Sequence, residues 1–169
     1  MNKIKLALWV FILYIIQNVF YPIMSISGLV PDFILGFTVA YSCIEPRFKK
    51  LSPVIIVCAV IAGTGTGRVF SIVTLLTGLA GVASYLMCSY MPFIPKILRT
   101  LVITILCSYL AGVTEYFVLT KTLAYAFLTG SALWQAIYTG VVSCIIYLIL
   151  NRSVNKNTQK KILIAQERN

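Results

Sequence analysis

The stretch GLVPDFILGF, Gly28 to Phe37, sets a proline and an aspartate at the edge of an otherwise apolar run. The chain has only four acidic residues in 169, so an acid at this place needs a reason. Two readings stand. In one, Pro31 occupies the first turn of a helix, where its missing N–H would have no partner anyway. Asp32 then shares that turn, where the positive end of the helix dipole favours an anion. In the other, Asp32 is a functional carboxylate at a membrane surface. The choice depends on the solvent for which the chain is built.

Composition identifies that solvent. Sixty per cent of the residues are hydrophobic, 11% are charged, and the mean hydropathy is +0.95. A soluble core of this size cannot hide so much apolar surface, so the sequence predicts an all-α integral membrane protein. Crossing a hydrocarbon layer of roughly 30 Å takes about 20 apolar helical residues. Six candidate spans follow, at about 6–24, 29–44, 53–67, 69–91, 97–119 and 123–150. They make up a transmembrane domain over residues 1–152, and a basic cytoplasmic tail covers 153–169. The second and third spans, at 16 and 15 residues, are short. Each is expected to be little tilted, broken or partly buried by its neighbours, whereas the last is long enough to tilt or to begin with an interfacial turn. The alternating segments of a membrane barrel are not visible. A cleaved signal peptide competes for the first span, with Lys3 and Lys5 as its basic flank and Ser25-Ile26-Ser27 as a loose cleavage site. The apolar run there exceeds the usual 7–15 or so residues of a signal core, so it is expected to stay as a span.

Net charge is +10, and its placement matters more than its size. With the N-terminus inside, every Lys and Arg except Arg68 and Lys121 falls on the inner side, as the positive-inside rule requires. Both termini are therefore expected in the cytosol. The basicity reads as a topology signal and an affinity for anionic lipid headgroups, not for nucleic acid. Cys43, Cys58, Cys88, Cys107 and Cys144 form no C-x-x-C pair, and the chain has no histidine. No metal site is expected, and the thiols read as small packing residues.

The usual catalytic constellations are missing too: without histidine or a G-x-S-x-G elbow, no catalytic residue, cofactor or enzyme activity is expected. The glycine-rich AGTGTGR, Ala62 to Arg68, lacks the G-K-[ST] ending of a phosphate loop. Gly63 and Gly67, four apart, and Gly78 and Gly81 instead read as helix-packing faces. Asp32 and Glu115 are the two carboxylates away from the cytosol, and they share the outer half with Arg68. A carboxylate in a span costs roughly 2.5–3.5 kcal/mol on insertion scales and normally pairs. The expectation is an outer polar cluster of Asp32, Arg68 and Glu115, within reach of Lys121. It reads either as a structural ion pair holding spans two, three and five, or as a site where Glu115 recognises a partner helix or small cation.

The assembled pattern resembles a known family. QNVFYPIMSISG closes the first span, LVPDFILGFTVAYS opens the second, a basic turn and a short glycine-rich third span follow, and ALWQAIYTGVVSCIIYLILNR ends the bundle. Together with the glutamate in GVTEYFVL, these features resemble the rod shape-determining protein MreD family over nearly the whole chain. One departure is plain: the family often carries an acid near the end of the third span, where this chain has Arg68 in GTGTGRVF. The resemblance implies a non-catalytic scaffold of the cell-elongation machinery in a bacterial plasma membrane. Its implied partners are the single-span MreC, a SEDS-type glycosyltransferase, a class B penicillin-binding transpeptidase and the MreB filament. The implied fold is similar to the substrate-binding subunits of energy-coupling-factor vitamin transporters, which makes a small-molecule carrier the alternative. Those subunits dock through A-x-x-x-A on the first span, and LALWVFILYIIQNVF has no such pair.

Overall fold

The computed structural model describes residues 3–19, 29–45, 47–64, 72–90, 93–121 and 130–166, and the side chains of residues 3, 5, 72, 73, 115, 119 and 155–166 lie outside that description. The described residues form an all-helical bundle of six helices: α1 (Lys3–Val19), α2 (Phe33–Ile44), α3 (Phe48–Thr64), α4 (Ile72–Tyr90), α5 (Lys96–Thr120) and α6 (Ser131–Gln166).

The shortest helix is the hub. α2 has 12 residues, about 18 Å at roughly 1.5 Å per residue, well short of a bilayer's apolar thickness. It packs against all five other helices, and every residue from Phe33 to Cys43 is buried. Of the options for the short second span, burial by its neighbours is the one found. Its two aliphatic hydroxyls are satisfied within the helix, with Thr38 donating to the Ile34 carbonyl and Ser42 to the Thr38 carbonyl, each at 2.7 Å. This back-bonding lets polar side chains sit in an apolar centre at little cost.

Close approach around the hub depends on small residues. α6 presents Ala132, Ala136, Thr139, Gly140 and Ser143 inward at helical spacing, followed by the bulkier Ile146, Tyr147 and Leu150. A Cβ on Gly81 of α4 would stand 2.8 Å from Ile55 of α3 and 2.9 Å from Thr38 of α2. A Cβ on Gly140 would stand 2.6 Å from Ile105 of α5.

The other helices carry outward apolar faces, with Phe11, Ile56, Leu75, Leu110 and Trp134 all more than half exposed. Water would be a poor solvent for such faces. Two stretches, Lys96–Val118 and Ser131–Val154, are long and apolar enough to cross a membrane. The bundle is compatible with a helical membrane protein.

Several expected boundaries move. α3 begins at Phe48, five residues before the expected start, and carries Pro53 inside it. A proline inside a helix removes one hydrogen bond, here to the carbonyl of Lys49. Lys49 and Pro53 are both exposed near the helix start, so the unpaired carbonyl is not shut in the core. Residues 48–52 of the expected turn are thus helical. α6 begins at Ser131 and runs through Gln166 as one 36-residue helix, so the expected tail continues it, while residues 123–129 of the expected last span lie outside the described residues.

Candidate functional site

The end of the bundle where α1, α2 and α6 meet gathers the polar groups. Asp32 has extended backbone (φ −85°, ψ 95°), and its Oδ1 accepts the Leu35 N–H at 2.9 Å, so it is the N-cap of α2. The carboxylate expected in the first helical turn stands one step ahead of it. Pro31 precedes the cap and is not part of the helix. The reason is geometric: a cap carboxylate must reach forward to an N–H two or three residues on, which a residue inside the turn cannot do.

The leading N–H groups of a helix have no intrahelical partner. At α2 three of them find partners from three parts of the chain. Asp32 N–H donates to Thr139 Oγ1 of α6 at 3.2 Å, Ile34 N–H to Gln17 Oε1 of α1 at 3.2 Å, and Leu35 N–H to the Asp32 carboxylate. Thr139 is a ready acceptor because it spends its own proton on the Gln135 carbonyl at 2.9 Å. One turn deeper, Ser143 Oγ donates to the Gly36 carbonyl at 3.1 Å. Thr104 of α5 lies 2.9 Å from Ser143 Oγ and 2.7 Å from the Thr100 carbonyl, and its single proton serves one of them at a time. These hydroxyls, one amide and one carboxylate form a seam from α1 through α2 and α6 to α5, partly buried at Gln17 and Asp32 and buried at the threonines and Ser143. Gly36 belongs to it: a Cβ there would meet Ser143 Cβ at 3.4 Å.

The residues expected to form an outer cluster are distributed differently. Asp32 is accounted for as a cap with an α6 contact. Arg68 lies outside the described residues, and Glu115 is on α5 with its side chain outside that description. Lys121 is exposed and ends α5 in the left-handed region (φ 56°), donating its N–H to the Phe117 carbonyl at 2.7 Å. Of the expected packing glycines, Gly78 faces Ala59 of α3, Gly81 faces Ile55 and Thr38, Gly63 is buried, and Gly67 lies outside the described residues.

The opposite end holds a buried cation that the sequence reading placed among the inner-side charges. Arg99 is only 6% exposed. It donates from Nη1 to the Cys88 carbonyl at 2.8 Å and from Nη2 to the Ile94 carbonyl at 2.6 Å. The guanidinium thereby ties the last turn of α4 to the loop leading into α5, at the helix end that favours positive charge. Its Nε is buried without a hydrogen-bond partner. Cys43 and Cys88 meet beside it, Sγ to Sγ at 2.8 Å.

Gln17, Thr104 and Thr139 were absent from the expected site, as were the roles of Ser143 and Arg99. The local signal available was weak: Gln17 is a polar residue deep in an apolar run, and the α6 threonine and serine stand four apart. Compared with protein-family models, characterised proteins and solved structures, the chain finds no match.

Proposed function

We propose that the chain is a multi-pass scaffold of a bacterial plasma membrane, of the MreD type, with six spans and both termini in the cytosol. It holds the membrane helix of an MreC-like single-span protein and, through it, the peptidoglycan-synthesising SEDS glycosyltransferase, the class B transpeptidase and the MreB filament. The observation that carries this reading is the distribution of polarity: a fully buried polar-seamed hub, α2, within a ring of helices whose outward faces are apolar. The second span, whose helix covers only part of the apolar thickness, is supplied with backbone partners by protein, because lipid offers none. The outward faces are left to lipid and to partner helices, which associate through close packing and a few interhelical polar contacts. The orientation rests on the charge asymmetry, with only Arg68 and Lys121 on the outer side. The sequence likeness in the first, second and last spans supplies the family.

Affinity purification in mild detergent, with mass spectrometry of proteins and small molecules together, tests the reading. A single-span protein with an extracytoplasmic domain is expected to co-purify. A stoichiometric low-molecular-weight ligand and no such protein would replace the scaffold by a carrier. Within the scaffold, Glu115→Gln is expected to abolish co-purification while the yield of folded protein stays the same. A fall in folded yield instead would make Glu115 a structural residue.

A further inference from the structure

Three of the five cysteines fit the role of small packing residues. Cys58 is fully buried in α3, while Cys107 and Cys144 are half-buried on α5 and α6 with no sulfur partner among the described residues. The other two do not fit it. Cys43 is the penultimate residue of α2 and Cys88 lies two residues before the end of α4, yet their sulfurs stand 2.8 Å apart. A bonded pair sits at about 2.05 Å, so closing this gap needs a shift of less than about 1 Å. Each thiol is held in place. Cys43 is 6% exposed with Thr100 beside it, and the carbonyl of Cys88 is gripped by the Arg99 guanidinium. Access differs between the two: Cys88 is half-buried, Cys43 buried.

We propose that Cys43 and Cys88 are a redox couple that closes to an intramolecular disulfide when the protein meets a peroxide, stapling α2 to α4 beside Arg99. Thiolates are the reacting species. The more accessible Cys88 sulfur attacks one peroxide oxygen, the O–O bond breaks, and the products are a sulfenic acid on Cys88 and one water. The Cys43 sulfur then attacks the Cys88 sulfur, the S–S bond forms, and the hydroxyl leaves as a second water with the Cys43 proton. Two thiols lose two electrons and two protons in total, and one peroxide becomes two waters. A thiol reductant reverses the step by exchange. The staple joins the hub to its neighbour at the end opposite the Asp32 cap, so it stiffens α2 from the side that the polar seam does not reach.

The test uses the full chain in detergent, reduced, freed of reductant and treated with hydrogen peroxide. Alkylation after unfolding in denaturant, followed by intact mass measurement, should count five free thiols before peroxide and three after, with five restored by dithiothreitol. Peptide mapping should join Cys43 to Cys88 within one chain. In Cys43→Ser, Cys88 should be trapped as a sulfenic acid by dimedone. In Cys88→Ser, Cys43 should stay alkylatable at the same dose. The treated wild type should melt at a higher temperature than the reduced protein, a shift that neither serine variant shows. Five alkylatable thiols at a dose that fully oxidises free glutathione would overturn the proposal. So would a bridge between two chains, a bridge between other cysteines, or over-oxidation of Cys88 while Cys43 remains free.

Discussion

α1 and α2 are both strongly apolar, yet they occupy opposite situations. α1 has 17 residues, packs chiefly on α2, and turns Ile4, Leu8, Phe11 and Val19 outward. α2 has 12 residues, touches every other helix, and exposes almost nothing. Hydrophobicity does not separate them; length and the supply of partners do. A helix long enough to cross lipid can meet it on one face, because its backbone bonds are internal. A shorter one, enclosed on every side by other helices, has its terminal N–H groups in the protein interior, where protein must meet them. Gln17, Thr139 and Asp32 meet them here.

The contrast can be broken most sharply with a matched pair of truncations. Phe37 on α2 is 0% exposed and Phe11 on α1 is 59% exposed. In thermal or denaturant unfolding in detergent, Phe37→Ala is expected to cost roughly 3 kcal/mol or more through the cavity it leaves. Phe11→Ala should stay within about 0.5 kcal/mol of wild type. Equal effects would mean that α2 is not the centre.

A second pair tests how tightly the hub is gripped. Gly81→Val pushes a side chain into Ile55 and Thr38 and is expected to cost about 1–3 kcal/mol. Gly112, on α5, has nothing within 4 Å of a Cβ, so Gly112→Ala should leave the melting temperature unchanged or raise it slightly. The smallest loss at the hub is expected at its cap: Asp32→Ala should lose ~1 kcal/mol and Asp32→Asn should retain most of it. Hydrogen exchange at the Leu35 amide, faster in the alanine variant than in the asparagine variant, would localise that loss to the start of α2.

What the sequence made legible is what local pattern carries. The apolar runs located the six helices, and the shortness of the second was visible from its 16-residue count. The Pro-Asp pair marked a helix start to within a residue or two, since capping is chemistry between near neighbours. The start of α3 was misplaced because Pro53 looks like a boundary, and only its exposed setting makes it tolerable inside the helix. The seam was illegible. Thr139 and Ser143 reach Asp32 and Gly36 across 107 positions, and no spacing rule links residues so far apart. The meeting of Cys43 with Cys88, 45 positions on, was hidden for the same reason.

That reach across the chain also bears on how the molecule is made. The start of α2 leaves the ribosome early, whereas the threonine that receives its first amide belongs to α6, the last of the described helices. Until α6 arrives, a nascent α2 can hold only the partners offered by its own cap and by α1. The protein therefore cannot be assembled strictly helix by helix in the order of translation. Its innermost piece has to wait for the later helices to close over it.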